Sequence, residues 1–362
     1  MTQPLWIDSV PAWALGPRSR NAKFGGNIIL AGIPSVSDRL LAVRHLSDRL
    51  GLPGDRALRS SGHILLEVET SIRRLRQYND PGAIKFKDLK AGIRSGKYPR
   101  WVAMTAPQFG FKGAERGGMI SKSAADRLMA RDLHIEAITR SQDLERDGLG
   151  AGVNIWWPAW TSRKVDDPSD PPMDFQRAWD MLLEFWVYVL KATGGVMWLE
   201  WKPGDPGFDY LMTPWLANKF CKAVNDALGR MAMYINNEFA HILLAGISVT
   251  EGVQMTVDAG LFFKFLHANA GMKLPVSIQS LLDAGVKPEN IPILLDADWP
   301  LGVGSQAAWN DQRDAIGVMD RTGQPTIFCE HDVNPSGLEP LAVFELSIRN
   351  RQKMLQEARA AA

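Results

Sequence analysis

At 362 residues the chain is long enough to bury one large α/β core or two medium ones, so length alone does not fix the domain count. Forty-one basic residues against forty acidic ones leave a formal charge of +1, which excludes the global field that draws nucleic acid or an anionic membrane surface. Two cysteines, Cys221 and Cys329, are too few for a disulfide framework or a cysteine-based zinc site and suit buried thiols in a reducing cytoplasm.

In chain order, MTQPLWIDSVPAW carries no basic flank ahead of an apolar run, so residues 1–23 read as an N-terminal extension rather than a leader. No apolar run anywhere reaches the length of about eighteen residues that a spanning helix needs. The runs GGNIILAG (25–32) and HILLEVE (63–69) are predicted as the first two strands, with VSDRLLAVRHLSDRLGL (36–52) as the helix between them. From WVAMTA (101–106) onward the pattern is regular. Strands GVNIWW (152–157), GVMWLEW (195–201), MAMYINN (231–237), LFFKFLH (261–267) and TIFCE (326–330) alternate with stretches of helical period such as 123–148, 174–194 and 213–229. NIPILLDAD (290–298) would be a ninth strand and is taken, with the rest of 270–300, as an inserted loop. Residues 335–362 form the closing helix. Alternating βα units around a parallel sheet predict a single-domain (β/α)₈ TIM barrel spanning 1–362.

In such barrels the reacting groups stand at the C-terminal strand ends, where the βα loops converge. Glu200 and Lys202 close one predicted strand two residues apart, and so face the same way. Glu238 and His241 follow the next strand at a spacing that lets both converge. His267 and Asn269 follow on the strand after that, and Glu330, His331 and Asp332 end the last. Carboxylate oxygens with imidazole suit magnesium, manganese or cobalt. Each group alone is more often a salt-bridge partner or a hydrogen-bonded core group; four in succession point to a metal. Thirteen tryptophans, several beside strand ends, are either core residues, the commoner case, or aromatic walls for a sugar.

The motifs WLEWKPGDPGFD, NNEFAHILLAG, LHANAG and LLDADWP, with WVAMTAPQFGFKGA and GVNIWWPAW upstream, resemble in order the metal-binding and pocket segments of the xylose-isomerase-like TIM barrels, a superfamily that includes rhamnose isomerases and ketose 3-epimerases. The resemblance runs from about residue 100 to 350. It implies a structural metal held by Glu200, Glu238 and His267 with Glu330 or Asp332 as the fourth ligand. It also implies a second metal position at His241, Asp296 and Asp298, and Lys202 against the substrate. Trp157, Phe109, Asn269 and Trp201 would line the sugar pocket. Glu200, Glu238, Lys202 and His241 are then the catalytic candidates. His267 stands where xylose isomerases carry Asp, which favours the rhamnose isomerase and epimerase pattern. The His-Asp-Asp run expected after the second strand is missing from HILLEVE, and the long C-terminal arm of xylose isomerases has no counterpart.

The resemblance therefore implies a cytoplasmic, divalent-metal-dependent sugar isomerase or epimerase with no organic cofactor, acting on a monosaccharide or glycoside-like molecule and leaving homo-oligomerisation open. Two alternatives share the barrel. One is a metal-dependent C-glycoside deglycosidase-like lyase, which would pair with a small β-sandwich subunit; the other is a non-catalytic binding or assembly protein. Nucleotide-binding and serine-hydrolase motifs are absent. A paired-carboxylate glycosidase would use Glu200 and Glu238, but the adjacent Lys202, His241 and His267 favour metal ligation.

Overall fold

The structure is a computed structural model that describes residues 3–16, 18–19, 29–30, 33, 35–106, 118–156, 174–203, 211, 213–271, 298–333 and 339–362. Strand β1 (Leu5–Pro11) leads to α1 (Val36–Arg49), β2 (Arg59–His63), α2 (Phe86–Arg94), β3 (Trp101–Thr105), α3 (Ala124–Arg146), β4 (Gly150–Trp156), α4 (Phe175–Thr193), β5 (Met197–Leu199) and α5 (Pro214–Leu228). There follow β6 (Met233–Ile235), β7 (Asn237–Glu238), α6 (Phe239–Leu244), α7 (Val249–Asp258), β8 (Phe265–His267), α8 (Gln306–Asp320), β9 (Thr326–Glu330) and α9 (Pro340–Ala360).

These strands form one sheet in the order β6-β5-β4-β3-β2-β1-β9-β8-β7, with every neighbouring pair parallel. The end strands β6 and β7 are separated in the chain only by Asn236, whose N–H donates to the Leu199 carbonyl at 2.8 Å. They are two halves of one barrel strand. The first half is in register with β5 and the second with β8, so the sheet closes into the expected α/β TIM barrel.

Two expectations for the first strands are corrected. The stretch read as an N-terminal extension supplies β1, which pairs with β9 on one side and β2 on the other. In GGNIILAG, Ile29–Leu30 pairs antiparallel with Arg18–Ser19 outside the barrel. The second strand is Arg59–His63, so HILLEVE begins at a strand end rather than forming the strand. The closing helix is found at Pro340–Ala360, whereas 272–297, and with it most of the supposed insertion, lies outside the described residues.

Local chemistry sets the helix bounds. Asp174 caps α4 by accepting from the Arg177 N–H, and Gly194 ends it with φ 64°, a left-handed value that favours glycine. Thr213 and Pro214 open α5 and Gly229 closes it at φ 65°, the ordering of cap, proline and glycine visible in TPWL…LG. The helices and the outward faces of the strands share one large apolar core, which holds Met197, Leu199, Trp156, Trp186 and Phe220. A separate cluster of Val102, Val153, Ile155, Trp198 and Phe265 lies inside the ring. Trp198 belongs to this inner cluster while its neighbours Met197 and Leu199 belong to the outer one, as the two-residue period of a strand requires. The Trp198 indole donates to the Phe263 carbonyl at 2.7 Å and stacks on the Phe263 ring. An apolar floor therefore underlies the barrel mouth. Both cysteines are buried free thiols.

Candidate metal centre

The period that sends Trp198 inward sends Glu200 and Lys202 inward above it, and that of Phe265 does the same for His267. Phe328 likewise sets the parity of Glu330 and Asp332. Glu238 ends β7 and begins α6, whose first turn carries His241. Four ligand atoms, one each from Glu200, Glu238, His267 and Asp332, lie within 4.8 Å of one another. His267 Nδ1 is 3.1 Å from Glu200 Oε2, 3.3 Å from Glu238 Oε2 and 3.5 Å from Asp332 Oδ2.

One ring nitrogen holds at most one proton and cannot donate to three carboxylates at once. Donors sharing an ion at about 2.0–2.2 Å, by contrast, stand roughly 3 Å apart. Asp332 Oδ1 is also buried without a hydrogen-bond partner among the described residues. Spacing, burial and donor type all fit a divalent ion.

The electrostatics show the same demand for positive charge. Burial works to raise the Glu200 carboxyl, but the charges of His267 and His241 outweigh it and hold it at about 2. Burial opposes a charge on His267, yet Glu200 beside it, with Glu238 and Glu330, lifts the imidazole well above its ordinary value. Asp332 is pushed well up by burial and by Glu238, Glu200 and Glu330, against the pull of His267. Glu200, Glu238 and Asp332 are thus crowded around His267, and the upward push on Asp332 reflects the cost of a further negative charge there.

Asn236 donates to Glu200 Oε2 at 3.1 Å, and Asn269 donates to Glu238 Oε1 at 2.9 Å. Side chains beyond the ligand atoms therefore fix two of the carboxylates.

No family model matches the chain, and no curated protein matches it. Among solved structures it is similar to an L-ribulose 3-epimerase at 12% identity and a TM-score of 0.59, covering 100% of this chain and 97% of that one. A xylose isomerase-like TIM barrel protein from Mycobacterium smegmatis in complex with magnesium is similar at 16% identity and a TM-score of 0.52, covering 99% and 98%. This is the xylose isomerase-like TIM-barrel fold. An AP endonuclease family 2 protein from Brucella melitensis shares it at 11% identity and a TM-score of 0.56, over 94% of this chain and 96% of that one, so the fold does not by itself select a reaction.

Within this xylose isomerase-like barrel the four clustered residues border a cavity of about 200 Å³, small among ligand sites. Lys202, His241, Glu330 and Asp298 also line it. His241 Nε2 stands 3.2 Å from Glu238 Oε1. Glu330 meets the other ring nitrogen of His267 at 3.3 Å and accepts from Ser9 at 3.4 Å. Of the two acids offered as fourth ligand, Asp332 joins the cluster and Glu330 stands by the other nitrogen of the imidazole. Asp298 is not with the four. It accepts from Asn269 at 3.2 Å and holds a left-handed φ of 40°, a strained value for a residue with a side chain.

Other expected residues fall elsewhere. Asn269 reaches the cavity only through Glu238 and Asp298, while its Oδ1 accepts from the Ala240 N–H at 2.8 Å. Trp201 does not line the cavity. With Glu200 and Lys202 facing in, it must face out, and it is packed in the outer core. Phe109, Trp157 and Asp296 lie outside the described residues.

Four cavity residues went unnoticed as site candidates: Trp13, His63, Thr105 and Ile155. His63 ends β2 and meets the Trp13 ring edge-on, with centroids 6.0 Å apart. The backbone N–H of His63 donates to Glu67 Oε2 at 2.6 Å. Burial pushes the Glu67 carboxyl up to about 8, opposed by that N–H and by Arg39 at 3.7 Å. Reading RSSGH, rather than HILLEVE, as the strand would have put His63 at the mouth.

Proposed function

We propose that the chain is a divalent-metal-dependent sugar isomerase or epimerase acting on a free monosaccharide or a close derivative. The observation that carries this reading is the convergence of Glu200, Glu238, His267 and Asp332 on one point beside Lys202 in a small cavity. The first three, with Asp332, are proposed as the metal ligands. Two similar structures support a sugar substrate, an L-ribulose 3-epimerase and a D-psicose 3-epimerase in the presence of D-fructose. A cavity of about 200 Å³ suits a monosaccharide better than the flavonoid-like leaving group of a deglycosidase.

A divalent ion here supplies Lewis-acid polarisation of a carbonyl oxygen and so acidifies the C–H beside it. The chain's own groups do the rest. Glu200, at the cavity wall, is one of two carboxylates able to exchange a proton with the substrate. Glu238, oriented by His241 and Asn269, is the second carboxylate able to take or return one. The Lys202 ammonium donates to a substrate oxygen as negative charge builds there. His63, which also lines the cavity, offers a ring nitrogen to a sugar oxygen.

The test is incubation of manganese- or cobalt-loaded protein with a panel of aldoses and ketoses in deuterated water. Deuterium at the carbon beside the carbonyl indicates proton transfer, and conversion without it indicates hydride shift. A protein that takes up no divalent ion, or converts no sugar in the panel, refutes the reading. Glu238→Gln should lower manganese affinity about 100-fold or more, measured by calorimetry.

A further inference from the structure

A larger cavity, of about 520 Å³, opens at the other end of the barrel, where β1 begins. Five residues of α9, Arg351, Gln352, Leu355, Gln356 and Arg359, line it. Their spacing puts them on one helix face. Arg56, Gln3 and the Asp8 carboxylate that Arg351 holds complete its polar wall.

Each helix arginine is anchored by one edge. Arg351 is 4% exposed and gives Nε and Nη2 to Asp8, the Nε bond at 2.8 Å. Arg359 gives Nε and Nη2 to Asp320 at 2.9 and 2.8 Å, and Nη2 also to the Pro4 carbonyl at 2.9 Å. The Nη1 group of each makes no hydrogen bond among the described residues, and Arg56 is exposed with no ion pair there. Two guanidinium groups held rigid by carboxylates thus keep donors uncommitted, beside a third arginine and the side-chain amides of Gln352 and Gln356.

Rigid arginine forks with spare N–H donors match the planar or tetrahedral oxygens of carboxylate and phosphate. The cavity volume is in the usual range for small-molecule sites. The geometry points to a second binding site, for a small organic anion bearing phosphate or carboxylate groups, held by Arg56, Arg351 and Arg359 with Gln352 and Gln356. It is separate from the mouth and does not depend on the reading of the metal centre.

The test is calorimetry on the full chain stripped of metal by chelator, so that neither anion can bind through an ion at the mouth. Sodium phosphate and sodium citrate are titrated separately against sodium chloride of matched ionic strength. One phosphate or citrate per chain should bind at millimolar concentration or below, and whichever binds more tightly names the class. Arg56→Glu and Gln356→Glu alter exposed residues and should leave the melting temperature without ligand unchanged while weakening binding by at least about tenfold. Absence of binding by both anions overturns the proposal. So does binding that both variants retain.

Discussion

Asn269 shows how much a residue can do at a site without touching the ligand. Its amide donates to both Glu238 and Asp298, and its carbonyl accepts from the Ala240 N–H in the first turn of α6. Asn269→Ala should therefore lower manganese affinity about 10- to 100-fold, because Glu238 loses its orientation. The same change should lower stability by about 1–3 kcal/mol, because the Ala240 N–H is left buried and unpaired. Calorimetric titration and urea unfolding of one preparation separate the two effects. At this scale the sequence was readable where strand parity could be counted. Glu200, Glu238 and His267 stand at successive strand ends and meet as expected. Asp332 and Glu330 share one parity, and only the fold distinguishes the acid beside Nδ1 of His267 from the acid beside Nε2.

The helices of the second half were legible because caps, glycines and apolar period agree, as α4 and α5 show. Strands β1 and β2 were not: hydrophobic patterning cannot see β2, whose buried positions are polar, and in β1 the buried Trp6, Ile7 and Val10 are interrupted by Asp8 and Ser9. β2 is RSSGH, with Arg59, Ser60 and Ser61 all buried, and the Ser60 hydroxyl donates to the Val10 carbonyl at 3.0 Å. β1 contributes buried Asp8 and Ser9. In β2 the Ser60 bond stands where an apolar strand would have side-chain contact, whereas β1 also packs Trp6 and Val10 into the apolar core. A single buried imidazole offers a test on α3. His134 is fully buried, its Nδ1 lies 2.7 Å from the Ala130 carbonyl, and burial holds its pKa down at about 4. The folded value lies below that of the free side chain. The unfolded chain therefore takes up a proton as pH falls through about 6.5, while the folded protein does not until about 4. Stability from this group is fully present above 6.5 and is lost on acidification, by about 2–3 kcal/mol between pH 7 and 4.5. Urea unfolding should show that extra loss in the parent and not in His134→Gln, whatever the variant's absolute stability.

Across the whole molecule, the barrel's first strand and last helix are joined through a buried ion pair. Asp8 on β1 accepts from Arg351 on α9 and lies 2.9 Å from His331, whose other nitrogen is 2.8 Å from Ser347 Oγ. Burial works against charge on Asp8, but Arg351 and His331 keep its carboxyl below the usual range. Asp8→Ala strands a buried guanidinium and should lower the unfolding free energy by about 3–5 kcal/mol, whereas the double variant Asp8→Leu with Arg351→Met should recover much of that loss. Chemical denaturation of the three proteins checks it.

The passage of the chain through Asn236 has a consequence for solubility. Because β6 and β7 carry the ring from β5 across to β8, no strand of the main sheet serves as an outer edge among the described residues. Edge strands with unpaired amides are the templates on which other chains add in fibrous aggregation. The native barrel offers no such template, so fibre growth by strand addition has to wait for the ring to break open, and the scarcity of opened molecules, rather than surface charge, is what protects a chain of nearly zero net charge.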